Sequence, residues 1–223
     1  MTPARVIDTQ RLSTLAHEYE REILRFHRDL AGDRGGIERI RQEVEKAAYA
    51  EIRVDSVGNL FARMGSGKYT IVMNAQGAAG AAGMIYGGRL VHELGIYDDF
   101  TLWVSSAARL ELPILKAAGI DPHCALVAEP TNLCIKMREA ALEGFLSESH
   151  PLVEAAISTY ETLFELPPIL SQSPSPTGPL GVPAIAFGPG EEGAETVPTR
   201  HLLKAAQFYA AFPTMFVDTM KRQ

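Results

Sequence analysis

Short runs of apolar and β-branched residues alternate with longer segments of helical periodicity along most of this chain. In the helical segments apolar side chains recur every three to four residues, and glycine- or proline-containing turns separate the short runs. The predicted helices are 10–31, 36–48, 80–94, 111–118, 152–164 and 201–217, and the predicted strands are 51–55, 59–64, 69–74, 100–105, 124–128, 133–137 and 183–187. Such alternation favours an α/β three-layer sandwich, with a mostly parallel central sheet and helices on both faces.

The length and charge of the chain limit its organisation and its partners. With 223 residues, 46% of them hydrophobic, the chain can bury a sizeable core, and we expect one domain over 1–223. The formal net charge of -6 argues against a nucleic-acid binder, which would need a basic patch. No stretch approaches the roughly 20 apolar residues that span a bilayer, and the polar N-terminus lacks the core of a signal peptide. We therefore expect a cytoplasmic protein that binds neither nucleic acid nor membranes.

Short local motifs add little. The stretch Gly65–Lys68 lacks the full spacing of a phosphate loop and is better explained as a hairpin turn. No GxSxG elbow surrounds Ser105 and Ser106, which end a predicted strand, so we interpret them as structural. Cys124 and Cys134 fit neither a redox motif nor a zinc knuckle and are interpreted as buried thiols. Local motifs alone thus indicate only an α/β domain.

Five longer segments, taken in order, carry a family resemblance. They are Val54–Leu60 (VDSVGNL), Ile71–Gln76 (IVMNAQ), Met84–Arg89 (MIYGGR), Leu126–Thr131 (LVAEPT) and Gly181–Gly190 (GVPAIAFGPG). Their collinear order resembles the co-catalytic zinc peptidases and deacylases, which include aminoacylases, acetylornithine deacetylase and selenium-metabolism-linked hydrolases. The resemblance implies a catalytic domain with two zinc ions at the carboxyl ends of its central strands. It also implies a metal-activated water, a glutamate base and an inserted lid domain.

The histidine positions of that family hold other residues in this chain. Its first ligand motif, His-x-Asp, corresponds here to Gln76–Gly77–Ala78, so Gln76 and Ala78 occupy former ligand positions. No carboxylate lies between Asn74 and Glu93, where the bridging aspartate would stand. The position of the last histidine holds Thr196. The resemblance therefore implies that both imidazole ligands and the bridging carboxylate have been lost.

Two carboxylates remain at positions that the resemblance assigns to the site. The family's Glu-Glu pair, base then ligand, aligns with Leu110 and Glu111, so the general-base position holds a leucine. The acidic ligand before Pro-Thr aligns with Glu129. Catalytic zinc usually takes three protein ligands and an open position, and two carboxylates without imidazole favour neither high affinity nor selectivity. We therefore treat Glu111 and Glu129 as remnants of a metal site and expect no cofactor.

The lid implied by the resemblance would be inserted near 143–151, where only Gly144–His150 remains. Without the lid the chain would lack both its substrate contacts and the usual dimer surface, so we expect a monomer. Scaffold segments are retained while ligands are replaced, which favours either a natural pseudoenzyme or a scaffold made by engineering. The run Ala78–Gly83 (AAGAAG) has the composition of a designed linker.

Three functions follow as alternatives. The first is a metal-free, inactive scaffold or pseudoenzyme derived from a zinc peptidase. The second is a metal-dependent hydrolase of peptide or N-acyl amide bonds with a rearranged site, in which Glu111 and Glu129 act with His92 or His150. The third is an interaction or structural protein that uses the surface exposed by loss of the lid, because large apolar patches tend to become interfaces.

Overall fold

The computed structural model describes residues 7–32, 36–106, 111–138, 145–174, 181–190 and 197–223. The helices are α1 Thr9–Glu18, α2 Glu20–Ala31, α3 Gly36–Lys46, α4 Gly77–Leu94, α5 Leu112–Ala117, α6 Pro151–Phe164 and α7 Thr199–Arg222. The strands are β1 Glu51–Val54, β2 Leu60–Met64, β3 Tyr69–Ala75, β4 Phe100–Ser105, β5 Cys124–Ala128, β6 Ile135–Met137, β7 Leu170–Gln172 and β8 Ala184–Phe187. None of these helices is long and apolar enough to cross a membrane.

One mixed sheet holds all eight described strands, in the order β1-β2-β4-β3-β5-β8-β6-β7. Its centre, β4-β3-β5-β8, is parallel, whereas β1, β2 and β6 join it through antiparallel pairs. The predicted α/β class is confirmed. The hairpin prediction for Gly65–Lys68 is wrong, because β4 lies between β2 and β3. The turn instead passes the beginning of β4, where Gly67 donates its N–H to Phe100 O at 3.1 Å.

The two faces of the sheet are covered unequally. The face that carries Ile71, Met73 and Leu126 is called the first face. These side chains pack against residues of α1, α2, α3, α4, α6 and α7. The second face carries Val72 and Val127, together with neighbours from β4 and β8, and packs against α5. The predicted helices on both faces are therefore present. Within the described residues, however, nearly all of the helical mass lies on the first face.

Helix α4 includes the run Ala78–Gly83 and is the most closely packed element on the first face. The linker interpretation of this run is wrong, because nearly all of α4 from Gly80 to Val91 is buried. A Cβ added at Gly80 would lie 2.5 Å from Ala128 O of β5, and one at Gly87 would lie 2.7 Å from Tyr209 Cβ of α7. The small residues thus let α4 approach both the sheet and α7 more closely than a side chain would allow.

The predicted helix over 10–31 is two helices that meet at Tyr19. Its hydroxyl donates to Glu93 Oε1 at 2.9 Å, and the Arg89 guanidinium lies 3.9 Å from the centre of its ring. Both partners come from the end of α4. The break is therefore associated with tertiary contacts, which the helical periodicity of the segment could not indicate.

A buried charge network joins α3 to α4. Glu43 is 2% exposed and accepts hydrogen bonds from Tyr86 Oη at 2.7 Å, Arg39 Nη1 at 2.6 Å and Lys46 Nζ at 3.3 Å. Burial raises the pKa of Glu43, but the hydrogen bonds from Tyr86 and Arg39 outweigh it, so the net pKa lies below its ordinary value. The network thus keeps a buried carboxylate ionised between α3 and α4.

We expect Gly80→Ala to lower the free energy of unfolding by about 2 kcal/mol, because the new methyl group would meet a backbone carbonyl that cannot move cheaply. In a linker or an open helix the same change would raise stability by roughly 1 kcal/mol. Urea denaturation measures whether the free energy of unfolding falls or rises. Ala78→Gly calibrates helix propensity in the same helix, and a stabilised Gly80→Ala protein would contradict the close packing of α4 on β5.

We expect Glu43→Gln to lower the free energy of unfolding by about 2 kcal/mol at pH 7, because it removes the charge that compensates Arg39. The folded-state pKa of Glu43 lies below the unfolded value of 4.5. Its stabilising contribution is therefore present above pH 4.5 and is lost as pH falls through the folded pKa. The difference in the free energy of unfolding between the unchanged protein and Glu43→Gln should narrow below that pH. Glu45→Gln, in an exposed pair with Arg41, is the control and should change stability by less than about 1 kcal/mol.

Candidate functional site

The carboxyl ends of the parallel strands β3, β4, β5 and β8 meet at one edge of the sheet, where the sequence places its former ligand positions. Gln76 directly follows β3 and is the N-terminal capping residue of α4. Its backbone N–H donates to Ala128 O at 2.9 Å, which joins the end of β3 to the end of β5. Ala78 lies in the first turn of α4. Gln76 and Ala78 therefore lie near the point where the ends of β3 and β5 meet.

Glu129 directly follows β5 and forms an ion pair with Arg138, which follows β6. Both side chains are largely enclosed, with 12% of Glu129 and 3% of Arg138 exposed. Arg138 Nη1 also donates to Ser173 O at 3.0 Å and to Pro174 O at 2.6 Å beyond β7. Burial lowers the pKa of Arg138, but a guanidinium stays protonated at neutral pH. The Glu129 carboxylate is thus paired with a cation of the chain itself.

The turn after Glu129 is fastened to the end of β8. Thr131 Oγ1 accepts from the N–H of Gly188 at 3.0 Å and donates to Gly188 O at 3.2 Å. The N–H of Leu133 also donates to Gly188 O, at 2.9 Å. The Glu-Pro-Thr and Gly-Pro-Gly segments of the resemblance therefore pack against each other, and they fix the backbone on which Glu129 is placed.

A second polar side chain lies among these strands. Asn74 is fully buried on β3, beside Ser105 of β4 and Val127 of β5 in the strand register. Neither atom of its amide has a hydrogen-bond partner in the part of the chain that the structure describes. Buried amides are normally satisfied, and leaving one unpaired costs about 1–3 kcal/mol. Asn74 is therefore a polar group held at the strand ends without a structural partner there.

The remaining predicted positions are less closely tied to this edge. Glu111 is the N-terminal capping residue of α5, in extended conformation. Leu110 and Thr196 lie outside the described residues. Ser106 has a structural role, since its Oγ accepts from Leu60 N at 3.1 Å. Cys124 is buried as expected, whereas Cys134 is half-buried because it lies in the turn before β6.

The two histidines proposed for a rearranged site have other roles. His92 lies near the end of α4, about 22 Å along the helix axis from Gly77, and its ring stacks on Tyr97. His150 caps α6, because its Nδ1 accepts from Leu152 N at 3.2 Å. Burial lowers the pKa of His150, which favours the neutral ring that this cap requires. The length of α4 keeps His92 away from the end of β3.

The side chains described at the strand ends do not fit a zinc site. Within the described ranges no three His, Cys, Asp or Glu residues are grouped so that they could hold a metal ion. An amide at Gln76 and a methyl group at Ala78 replace the donors that zinc prefers. Glu129 already has a cationic partner.

Comparison with solved structures relates this geometry to known folds. The LapA aminopeptidase of Legionella pneumophila superposes with a TM-score of 0.68 and 9% identity, over 96% of this chain and 75% of that one. YxeP of Bacillus subtilis, described as a dinuclear metal-binding peptidase of the M20 family, gives 0.69 and 12%, over 91% and 99%. The aminopeptidase APDkam598 of Desulfurococcus kamchatkensis gives 0.68 and 11%, over 91% and 98%. This chain has a peptidase-like fold.

Sequence comparison is less specific. No protein-family model matches the chain. The uncharacterized protein YgeY of Escherichia coli K12 is 23% identical over 164 residues, which cover 52% of this chain and 41% of that protein. The peptidase-like fold thus stands on structural similarity.

Two residues of the site, Arg138 and Asn74, were missed by sequence reasoning. A signal existed for Arg138, which follows the apolar positions Ile135 and Met137 of a buried strand. A buried cation needs a carboxylate partner, and Glu129 was already a candidate. No comparable signal distinguishes Asn74, because its isolation depends on the side chains of neighbouring strands.

We expect Glu129→Leu and Arg138→Met each to lower the free energy of unfolding by about 3 kcal/mol, because each leaves a buried charge uncompensated. The double variant should lose less than either single one, since no unpaired charge remains. Urea denaturation of the four proteins measures the coupling. The exposed pair Arg41 and Glu45 is the control, with an expected coupling of about 0.5 kcal/mol. Additive losses at Glu129 and Arg138 would contradict a coupled pair.

Proposed function

We propose that this chain is a peptidase-fold domain that folds without metal and does not hydrolyse amide bonds. The observation that carries the proposal is the ion pair between Glu129 and Arg138. In an active dinuclear site the metal ions would supply the positive charge that neutralises such a carboxylate. Here a buried guanidinium of the chain supplies that charge. Unlike a metal ion, a guanidinium can neither activate a water molecule nor offer a coordination position.

The replaced positions support the same conclusion from their chemistry. Metal-dependent hydrolysis needs donors that fix the metal and a base that accepts a proton from water. Gln76 and Ala78 offer no imidazole or carboxylate, and Leu110, at the aligned base position, cannot accept a proton. Carboxylates clustered without metal would repel one another and raise their pKa values. Replacing most of them and pairing Glu129 with a cation removes that repulsion.

The extent of the chain bears on the rest of the proposal. The sequence match covers 41% of YgeY, less than half of that protein. We infer that residues 1–223 correspond to a catalytic domain whose lid insertion, expected near 143–151, is missing. Without that insertion, the contacts with which a lid would enclose a substrate are absent, and we expect a monomer.

The proposal concerns activity and does not depend on whether the replacements are natural or engineered. The run Ala78–Gly83 gives no support to engineering, because it forms the closely packed start of α4. A core shaped by natural selection would show the same close fit between α4, β5 and α7.

We expect the purified protein to hold no stoichiometric zinc after zinc is supplied and to show no turnover of N-acyl amino acids or aminoacyl amides. Elemental analysis and amine-release assays measure the two properties. Thermal and urea unfolding should be unaffected by EDTA. A metal bound with a Kd a hundredfold below its free concentration would instead raise the free energy of unfolding by about 2.7 kcal/mol.

Stoichiometric zinc together with turnover would overturn the proposal. Glu129→Ala then distinguishes a rearranged site from a contaminating peptidase. Loss of both zinc and turnover in that variant would place the activity at Glu129, whereas unchanged turnover would identify a contaminant. Glu111→Ala is the parallel variant for the second carboxylate.

A further inference from the structure

A cleft lies among the first-face helices, and Glu129 and Arg138 are not among the residues that line it. It has a volume of ≈ 380 Å³ and is lined by α1, the end of α6 and the beginning of α7. Ser13 and His17 of α1 form one wall, and they also line a neighbouring hollow along the same helix. The volume falls within the range of small-molecule sites.

Two cations of α7 face this cleft, and neither has an anionic partner among the described residues. Arg200 and Lys204 both line it and stand four residues apart, on the same side of the helix. Neither forms an ion pair or a side-chain hydrogen bond in the part of the chain that the structure describes. The recorded contact of Lys204 is with Phe164, whose ring centre lies 4.8 Å from Nζ. The positive end of the α7 dipole adds to their charge near Arg200.

A nearly buried amide completes the polar side of the cleft. Gln207 lies on the next turn of α7, lines the cleft, and is only 8% exposed. Its side chain has no hydrogen-bond partner among the described residues. Most polar groups with so little exposure are paired within the protein. Because this amide opens into the cleft, a ligand can supply the missing partner.

Other residues that line the cleft are apolar. Leu163 and Phe164 end α6, and Leu203, which is buried on α7, lies between Arg200 and Lys204 in the sequence. Glu165 adds one negative charge at the rim. The cleft thus combines an apolar wall, two cations and an unpaired amide, which suits a ligand that is anionic at one end and apolar at the other.

We propose that this cleft binds a small amphipathic carboxylate. The carboxylate accepts hydrogen bonds from Arg200 and Lys204, and a short ring or alkyl body packs against Leu163, Phe164 and Leu203. An oxygen of the ligand accepts from the Gln207 amide. An inorganic anion would leave the apolar wall uncovered, and a cation would be repelled by α7.

The matched probes 3-phenylpropionate and 3-phenylpropionamide share a body and differ in charge. We expect the acid to bind with a Kd on the order of millimolar, as befits its size, and the amide to bind about tenfold more weakly. Chemical-shift titration of the ¹⁵N-labelled full chain measures both affinities. The perturbed resonances should include those of residues that line the cleft on α6 and α7.

Variants of the charged residues that line the cleft measure the contribution of each one to binding of the acid. Arg200→Met and Lys204→Met should each weaken acid binding about tenfold and leave the weak binding of the amide unchanged. Gln207→Leu should weaken both probes. Glu165→Gln should tighten acid binding, since it removes the opposing charge. Lys221→Met is the control, because Lys221 lies on the same helix about 25 Å from Lys204 and pairs with Asp99.

Equal affinity for the acid and the amide would overturn the proposal, as would shifts confined to residues outside the cleft or unchanged acid binding in both cation variants. If Gln207→Leu fails to fold, Arg200→Met still tests the proposal, because Arg200 is exposed. The outcome is independent of metal content and of amide hydrolysis.

Discussion

The close approach of α4 to the sheet and to α7 is the constraint on which the rest of the structure depends. At Gly80 the helix backbone lies against β5, and at Gly83 and Gly87 it lies against Tyr209 of α7. The Tyr209 hydroxyl in turn donates to Phe187 O at the end of β8, at 2.6 Å. One contact surface therefore links α4, α7 and the ends of two strands. It holds the backbone around Gln76 and Glu129 in place.

Electrostatic compensation within the chain complements this packing. Glu43 is buried between α3 and α4 with Arg39, Lys46 and Tyr86 as partners, and Glu129 is enclosed with Arg138. In both places a carboxylate has kept its charge because a neighbouring cation offsets the cost of removing it from water. The two cases differ in consequence. The network at Glu43 joins two helices, whereas the pair at Glu129 links the segments that follow β5 and β6.

The candidate ligand cleft and the strand ends around Glu129 and Asn74 have no lining residue in common. Among the described residues, the strand ends combine the ion pair of Glu129 and Arg138 with the buried amide of Asn74, which has no partner there. The cleft combines two cations that form no ion pair there with the nearly buried amide of Gln207. A peptidase-like fold can thus carry polar groups both at its strand ends and on a surface between its helices. Function and fold are separable in this way because sites depend on a few side chains and the scaffold depends on the whole core.

The sequence by itself determined the α/β class and most strand positions, because periodicity and residue identity are local properties. Phe100–Ser105 and Cys124–Ala128 were predicted with their observed bounds. Only the tertiary structure decided that Ala78–Gly83 is a packed helix rather than a linker. A run of glycine and alanine is compatible with both, and the difference depends on whether a neighbouring backbone leaves no room for a side chain. The tertiary structure also decided that β4 separates β2 from β3, and that Arg138 neutralises Glu129. These features join residues distant in the chain, and such contacts follow from the order of strands in space, which local pattern does not contain.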